Sequence, residues 1–192
     1  MASIITATTA NGLVSSADNS GVLQLASGTG NLVTVPAVTG TAMVSGNMPA
    51  FSAYMTANQT LAYNSATKLV FNAEEFDTAS CFNTSTNRFT PTVAGYYQIN
   101  SSMFWVGTVA RDYYVGNYIY KNGSNVRATI QSFVLGAGTD NVIVVTGLIY
   151  MNGSTDYLES YGYQVDYTAS GTITILSNSA YTTFNGSLVR AA

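Results

Sequence analysis

The 192-residue chain has no histidine, one cysteine, one tryptophan and three prolines, and only 8% of its residues carry charge. Each shortage removes a class of function. Without histidine the usual general base and the commonest zinc ligand are missing. A lone Cys81 excludes an internal disulfide framework. With no imidazole to activate it, Cys81 reads as a small buried hydrophobe rather than a nucleophile. The six basic residues, Lys68, Arg88, Arg111, Lys121, Arg127 and Arg190, are scattered, and the formal net charge is −3. Nucleic-acid binding by counterion release needs clustered Lys and Arg, so it is not expected. No glycine-rich phosphate loop follows a strand and opens a helix. Carboxylates are too sparse for an assigned acid/base pair, although folding could bring Asp156 and Glu159 against others. No apolar run approaches the roughly 20 residues of a membrane helix. Residues 1–5 lack the basic start and continuous apolar core of a signal peptide. The expectation is a non-enzymatic protein with no cofactor, no metal and no membrane insertion.

What is present is apolar and aromatic. Hydrophobic residues make up 47% of the chain, with 14 tyrosines and eight phenylalanines. Soluble domains use roughly a quarter charged residues, so this surface must be covered largely by Ser, Thr, Asn, Gly and Tyr. Such a surface suits rigid β-rich extracellular or virion proteins. It also suits close homo-oligomer contacts, where charges are costly to desolvate.

The chain is organised around residues 87–106. Arg88 and Phe89 read as a short strand ended by Pro91, which cannot donate to a ladder. Gly95 is expected to supply backbone freedom for a restart. From there Tyr97, Ile99, Met103 and Trp105 share one face of a long strand, with Gln98, Asn100 and Ser102 opposite. Ser101 interrupts the apolar face and Phe104 the polar one. Three hairpin-like units follow. Residues 112–120 turn at Asn122-Gly123 into residues 126–134, an Asn-Gly pair favouring a tight primed turn. Residues 141–151 turn at Asn152-Gly153 into residues 156–163. Residues 172–175 and 180–189 close the sheet. Residues 72–78 hold Glu74, Glu75 and Asp77; an exposed solvated loop and a calcium site are the two readings, the loop being favoured because EF-hand spacing is absent.

Residues 1–48 differ from the rest. They carry one charge, Asp18, and no aromatic residue. Alternating runs around Val22, Leu23 and Leu25, and around Leu32, Val33 and Val35, flank a Gly-rich loop and read as a hairpin. With no aromatic side chains this segment buries little area alone. Those six residues are the candidates for attachment to a partner, with a floppy low-complexity terminus as the other reading. Residues 39–47 read as a linker, and the main domain begins at residue 49.

Two resemblances add to this. Arg88-Phe89-Thr90-Pro91 followed by Gly95-Tyr96-Tyr97-Gln98-Ile99 resembles the signature of C1q-like globular heads of the complement and tumour-necrosis-factor superfamily. Ile99 stands where that family prefers Phe. Pro49-Ala50-Phe51-Ser52-Ala53 is similar to the family's opening strand, and Leu69-Val70-Phe71-Asn72 to its second. Residues 183–189 are similar to its closing strand, with Ser187 in place of an aromatic. The resemblance implies an all-β jelly-roll sandwich of about ten strands over residues 49–192, forming a homotrimer. Tyr97, Phe104, Tyr114, Tyr118 and Tyr150 are the candidate core or trimer contacts. Separately, residues 15–28 resemble the start of tailed-phage virion and fibre proteins. Together these lead to the expectation of a bacteriophage virion protein, a capsid decoration or head fibre made in the host cytoplasm and displayed on the particle. Its partners would be itself and, through residues 1–48, the major capsid protein or another virion protein. The alternative is a tail-fibre or receptor-binding tip that contacts a host surface glycan. A cellular C1q-like adhesion module is a third reading, weakened by the lack of a secretion signal.

Overall fold

A computed structural model describes residues 23–26, 32–35, 48–107, 111–135, 140–166 and 172–192. The chain divides into two compact units, Met1–Ala42 and Met43–Ala192. In the first, β1 (Leu23–Ala26) pairs antiparallel with β2 (Leu32–Val35), with Leu23 opposite Val35 and Leu25 opposite Val33. This is the expected hairpin. Val22 and the linker residues 39–47 lie outside the described residues.

The second unit is an all-β sandwich. Its spine is β9 (Gly95–Gly107), whose side chains alternate strictly between core and surface. At ~3.4 Å per residue, thirteen residues make a strand about 44 Å long, enough to carry several partners. Along one edge it pairs with β12 (Asp140–Met151). Along the other it pairs first with β15 (Thr183–Ala191) and then with β14 (Ile173–Ile175). Outside β15 lie β3 (Ala50–Tyr54) and then β6 (Ala73–Asp77); β4 (Gln59–Leu61) extends β14. These seven strands face a six-stranded sheet. There β10 (Arg111–Lys121) lies between β11 (Ser124–Leu135) and β13 (Leu158–Asp166). The short strands β5 (Thr67–Lys68), β7 (Phe82–Asn83) and β8 (Arg88–Phe89) complete it. All strand pairs in both sheets are antiparallel, the layered jelly-roll arrangement that the C1q-like resemblance implies.

Aromatic rings fill the space between the sheets. Phe51 stacks on Phe89 at 4.3 Å and on Phe82 at 5.1 Å, and meets Phe184 edge-on at 5.1 Å. At the other end Trp105 meets Tyr113 and Phe133 edge-to-face at 5.9 and 5.1 Å. Each such ring taken from water contributes roughly 1.5–3 kcal/mol. Ser101, the break in the apolar stripe, sits fully buried in a polar cluster with Asn117 and Ser160. The Asn117 amide donates to the carbonyls of Ser101 (2.9 Å) and Ile143 (3.2 Å) and accepts from Ser101 Oγ (3.2 Å). The two serine hydroxyls lie 2.7 Å apart. This cluster ties β10 and β13 to β9 and β12 across the sandwich.

Several local expectations change. Residues 72–78 are not a solvated loop: 73–77 form edge strand β6 on β3. Its exposed Glu74 and Glu75 charge that edge, which deters pairing with another chain. Asp77 is a turn cap whose Oδ1 and Oδ2 accept from Ala79 N (3.1 Å) and Phe82 N (2.7 Å). Leu69 to Asn72 keep a strand's alternation, with Leu69 and Phe71 buried and Val70 and Asn72 exposed, but lie outside any strand, the Val70 amide donating to Gln59 Oε1 at 3.0 Å instead of to a ladder partner. The Asn122-Gly123 turn does join β10 to β11, with φ of 52° and 81° as a primed turn requires. Asn152-Gly153 makes no hairpin. It passes the chain between sheets, because Asn152 Oδ1 gathers the amides of Ser154, Thr155 and Asp156 at 3.0 Å each. Gly95 has no positive φ; a side chain there would overlap the Arg190 carbonyl oxygen, so glycine is required by closeness rather than freedom. Cys81 is buried as expected, and burial pushes its thiol pKa up.

Candidate functional site

The outer face of the seven-stranded sheet carries the most exposed apolar surface. The pleat that sends Ile143, Val145, Ile149 and Met151 inward sends Val142, Val144, Leu148 and Tyr150 outward. Register sets Tyr150 opposite Tyr96, Leu148 opposite Gln98, Thr146 opposite Asn100 and Val142 opposite Phe104. Val142, Val144, Leu148, Tyr150 and Tyr96 keep between 42% and 49% of their surface exposed, and Val189 on β15 keeps 60%. Surface aliphatics scattered singly need no explanation, but here Val142 and Val144 on one side of Thr146, and Leu148, Tyr150 and Tyr96 on the other, share one face of two paired strands.

Polar groups in this face are bonded to one another. Gln98 Nε2 donates to Thr146 Oγ1 (2.6 Å), which donates to Asn100 Oδ1 (2.7 Å); Asn100 Nδ2 donates to Asn185 Oδ1 (3.0 Å). This amide ladder crosses β12, β9 and β15. Beside it an open depression over Gly186 is walled by Ser52, Phe76, Asn185 and Ser187. Gly186 leaves no room for a side chain, since a Cβ would lie 2.9 Å from the Gln98 carbonyl oxygen.

Charges stay at the margins. Lys121 Nζ donates to Asp156 Oδ2 and to the Tyr150 carbonyl, both at 2.7 Å, and lies 5.6 Å from the Tyr150 ring centre. The Lys121 ammonium holds the Asp156 carboxyl below its usual pKa. Arg127 Nη2 reaches from β11 to the Leu148 carbonyl (3.2 Å), and its stem fills the space a side chain at Gly147 would need. On the far side of the sandwich Glu159 is 2% exposed, with Oε1 receiving Lys68 Nζ at 3.0 Å and Arg88 Nε at 2.9 Å. Burial opposes its ionisation, but the Arg88 and Lys68 hydrogen bonds together outweigh it and hold its pKa below the ordinary value. Among the described residues no cluster of His, Cys, Asp and Glu is placed to hold a metal ion.

The five candidate contacts do not converge. Tyr97 is wholly in the core, its hydroxyl donating to the Val93 carbonyl at 2.7 Å, and burial raises its pKa strongly. Phe104 and Tyr150 lie on the outer face of the seven-stranded sheet at opposite ends of β9, packed edge-on or tilted against Tyr181 and Tyr96. Tyr114 and Tyr118 lie on the outer face of the other sheet, facing Tyr163. For attachment, Leu23, Leu25, Leu32, Val33 and Val35 fall in the β1–β2 hairpin. Sequence reasoning missed the aliphatic row Val142, Val144 and Leu148. Its alternation with Ile143, Val145 and Ile149, in an apolar run broken only by Thr146-Gly147, was the available sign of a strand apolar on both faces.

This architecture is a jelly roll of the tumour-necrosis-factor type. Solved structures similar to it include the Eiger TNF of S. frugiperda, at TM-score 0.55 and 7% identity over 76% of this chain and 93% of that one. Murine APRIL at pH 5.0 matches at TM-score 0.55 and 9% identity, over 74% of this chain and 99% of that one; at pH 8.5 it matches at 0.53 and 8% over the same shares. At such identities the likeness defines the fold alone. No protein-family model matches the chain, and no curated protein sequence does.

Proposed function

We propose that this chain is a non-enzymatic structural protein of a bacteriophage particle, a trimeric capsid decoration or head fibre whose residues 1–48 attach it to the capsid. The observation that carries the reading is the aliphatic row Val142, Val144 and Leu148 beside Tyr150 and Tyr96, exposed on one sheet face. A row like this is stable in water when another copy covers it. A three-fold arrangement closes on itself and leaves no sticky face behind. The amide ladder of Gln98, Thr146, Asn100 and Asn185 is already internally bonded, so covering it leaves few polar groups stranded. The low charge of the whole chain removes the desolvation penalty that ordinarily opposes such contacts. The phage assignment is supported by the composition and by the likeness of residues 15–28 to virion proteins. The hairpin of the first unit supplies a short aliphatic segment suited to docking on a capsid protein.

Purified particles probed with an antibody against residues 49–192 test the assignment. Labelling over the whole capsid, with many copies per particle, is the expected result. A protein absent from purified particles overturns it, and a few copies confined to the tail would transfer it to an adhesin.

A further inference from the structure

The outer face of the six-stranded sheet differs in kind from the aliphatic one. The outward positions of β10 and β13 are tyrosines: Tyr114, Tyr118 and Tyr120 on one strand, Tyr161 and Tyr163 on the next. The rings hold one another. Tyr120 stacks on Tyr161 at 4.2 Å and 28°. Tyr118 is set perpendicular to two neighbours, Tyr120 at 90° and Tyr163 at 78°. Tyr118 also folds over Gly116, its Oη and outer ring carbons lying 2.7–2.8 Å from where a Cβ at 116 would be. A glycine inside a strand costs stability and often marks a close approach; here it lets one ring lie down between standing ones.

The field itself carries no charge. From Tyr114 to Tyr120 on β10, and from Tyr161 to Val165 on β13, no outward position is charged. On β11, Ala128, Ile130 and Ser132 face Tyr118, Gly116 and Tyr114. At its border Glu159 sits between Lys68 and Arg88, one carboxylate held by two cations, and these charges bond one another beside the rings rather than among them. A complementary occupant is therefore uncharged. It must offer weakly positive C–H groups to the negative ring faces, and hydroxyls to the phenols at their rims. Pyranose sugars have both surfaces. Tyr114 to Tyr120 span six residues of strand, about 20 Å, which is the reach of an oligosaccharide rather than of one sugar.

We infer that this tyrosine field, floored by Tyr118 over Gly116, is a binding face for neutral oligosaccharides. The inference rests on the proposed trimer only in that the aliphatic face is then the one used between subunits, leaving this face outward.

The test is calorimetric titration of the full chain with cellohexaose, maltohexaose and chitohexaose, with a heparin-derived hexasaccharide as the anionic control. At least one neutral hexasaccharide is expected to bind. Tyr118→Ala then weakens it roughly tenfold, the scale of one aromatic contact. Gly116→Val, which keeps every tyrosine but lifts the Tyr118 ring, weakens it likewise, while Tyr150→Ala on the other face binds as the parent does. Trp105 fluorescence checks that each variant is folded; if Tyr118→Ala is not, Tyr161→Ala replaces it in the comparison. The inference is overturned if no neutral hexasaccharide binds at ~10 mM. It is equally overturned if only the anionic control binds, or if both ring variants bind as the parent does. Light scattering on the same samples reads subunit association separately. A monomer that binds sugar refutes only the trimer, a trimer that binds none refutes only this face, and association lost in Tyr118→Ala would give the face to a second copy.

Discussion

Replacing Asn117 by alanine probes how the two sheets are held in register. Asn117 is fully buried, and its amide makes two donations, to Ser101 O and Ile143 O, and one acceptance within 3.2 Å. Each intramolecular hydrogen bond is worth about 1 kcal/mol net, and a buried group left unpaired costs about 1–3 kcal/mol. Ser101 and Ser160 retain their mutual 2.7 Å contact, so their hydroxyls are not wholly stranded. The two carbonyls lose this donor, and a small void opens. The sum is about 3–5 kcal/mol. For a chain of this size that corresponds to a fall in Tm of roughly 10–15 °C. Scanning calorimetry at fixed protein concentration is the assay, since self-association would make Tm concentration-dependent. Asn117→Ala combined with Ser101→Ala should cost clearly less than the sum of the two single changes, because they share bonds. A loss below about 1 kcal/mol for Asn117→Ala, or strict additivity with Ser101→Ala, would mean that this cluster does not hold the sheets together.

Further outcomes follow from other contacts. Gly95→Ala forces a methyl into the Arg190 carbonyl and should cost at least ~2 kcal/mol by separating β9 from β15, read as a fall in the urea midpoint. Asp77→Ala removes the cap on Ala79 N and Phe82 N and should cost about 1–2 kcal/mol by the same denaturation. The folded pKa of Glu159 lies below its unfolded value near 4.5, so its stabilisation is present above that pH. It is lost as pH falls through the lower folded value, and Glu159→Gln should flatten the Tm profile there. Calcium at millimolar level should leave Tm unchanged, because Asp77 is occupied as a cap and Glu75 Oε2 by Ser52 Oγ at 2.8 Å.

Much of the fold was legible because its spine obeys period two. Tyr97, Ile99, Met103 and Trp105 are all wholly buried, as alternation demands. The Asn122-Gly123 turn was legible for its positive φ. What was not legible is which strands pair. Asn152-Gly153 has hairpin chemistry, yet β12 pairs with β9 and β13 with β10, because pairing is decided by long-range packing rather than by the intervening turn. Edge strand β6 was hidden because Glu74 and Glu75 look like loop residues until a sheet edge makes use of their charge. For the candidate site, composition pointed to aromatic contact surfaces but not to their location. Tyr97 and Tyr118 are the same residue type on neighbouring layers, one in the core and one outside, and only register separates them. The aliphatic row on β12 was read as ordinary strand, since a nearly continuous apolar run does not say which of its faces is covered.

The proposed function depends on self-association through the aliphatic face of the seven-stranded sheet. Light scattering on a sizing column tests it most directly, comparing the full chain with Val144→Glu combined with Leu148→Glu. The parent chain is expected at three times 20.2 kDa and the double variant at a folded single-chain mass, since its two carboxylates forbid burial of that row. A parent chain that stays at 20.2 kDa at every concentration, or a trimer that survives both substitutions, would contradict it.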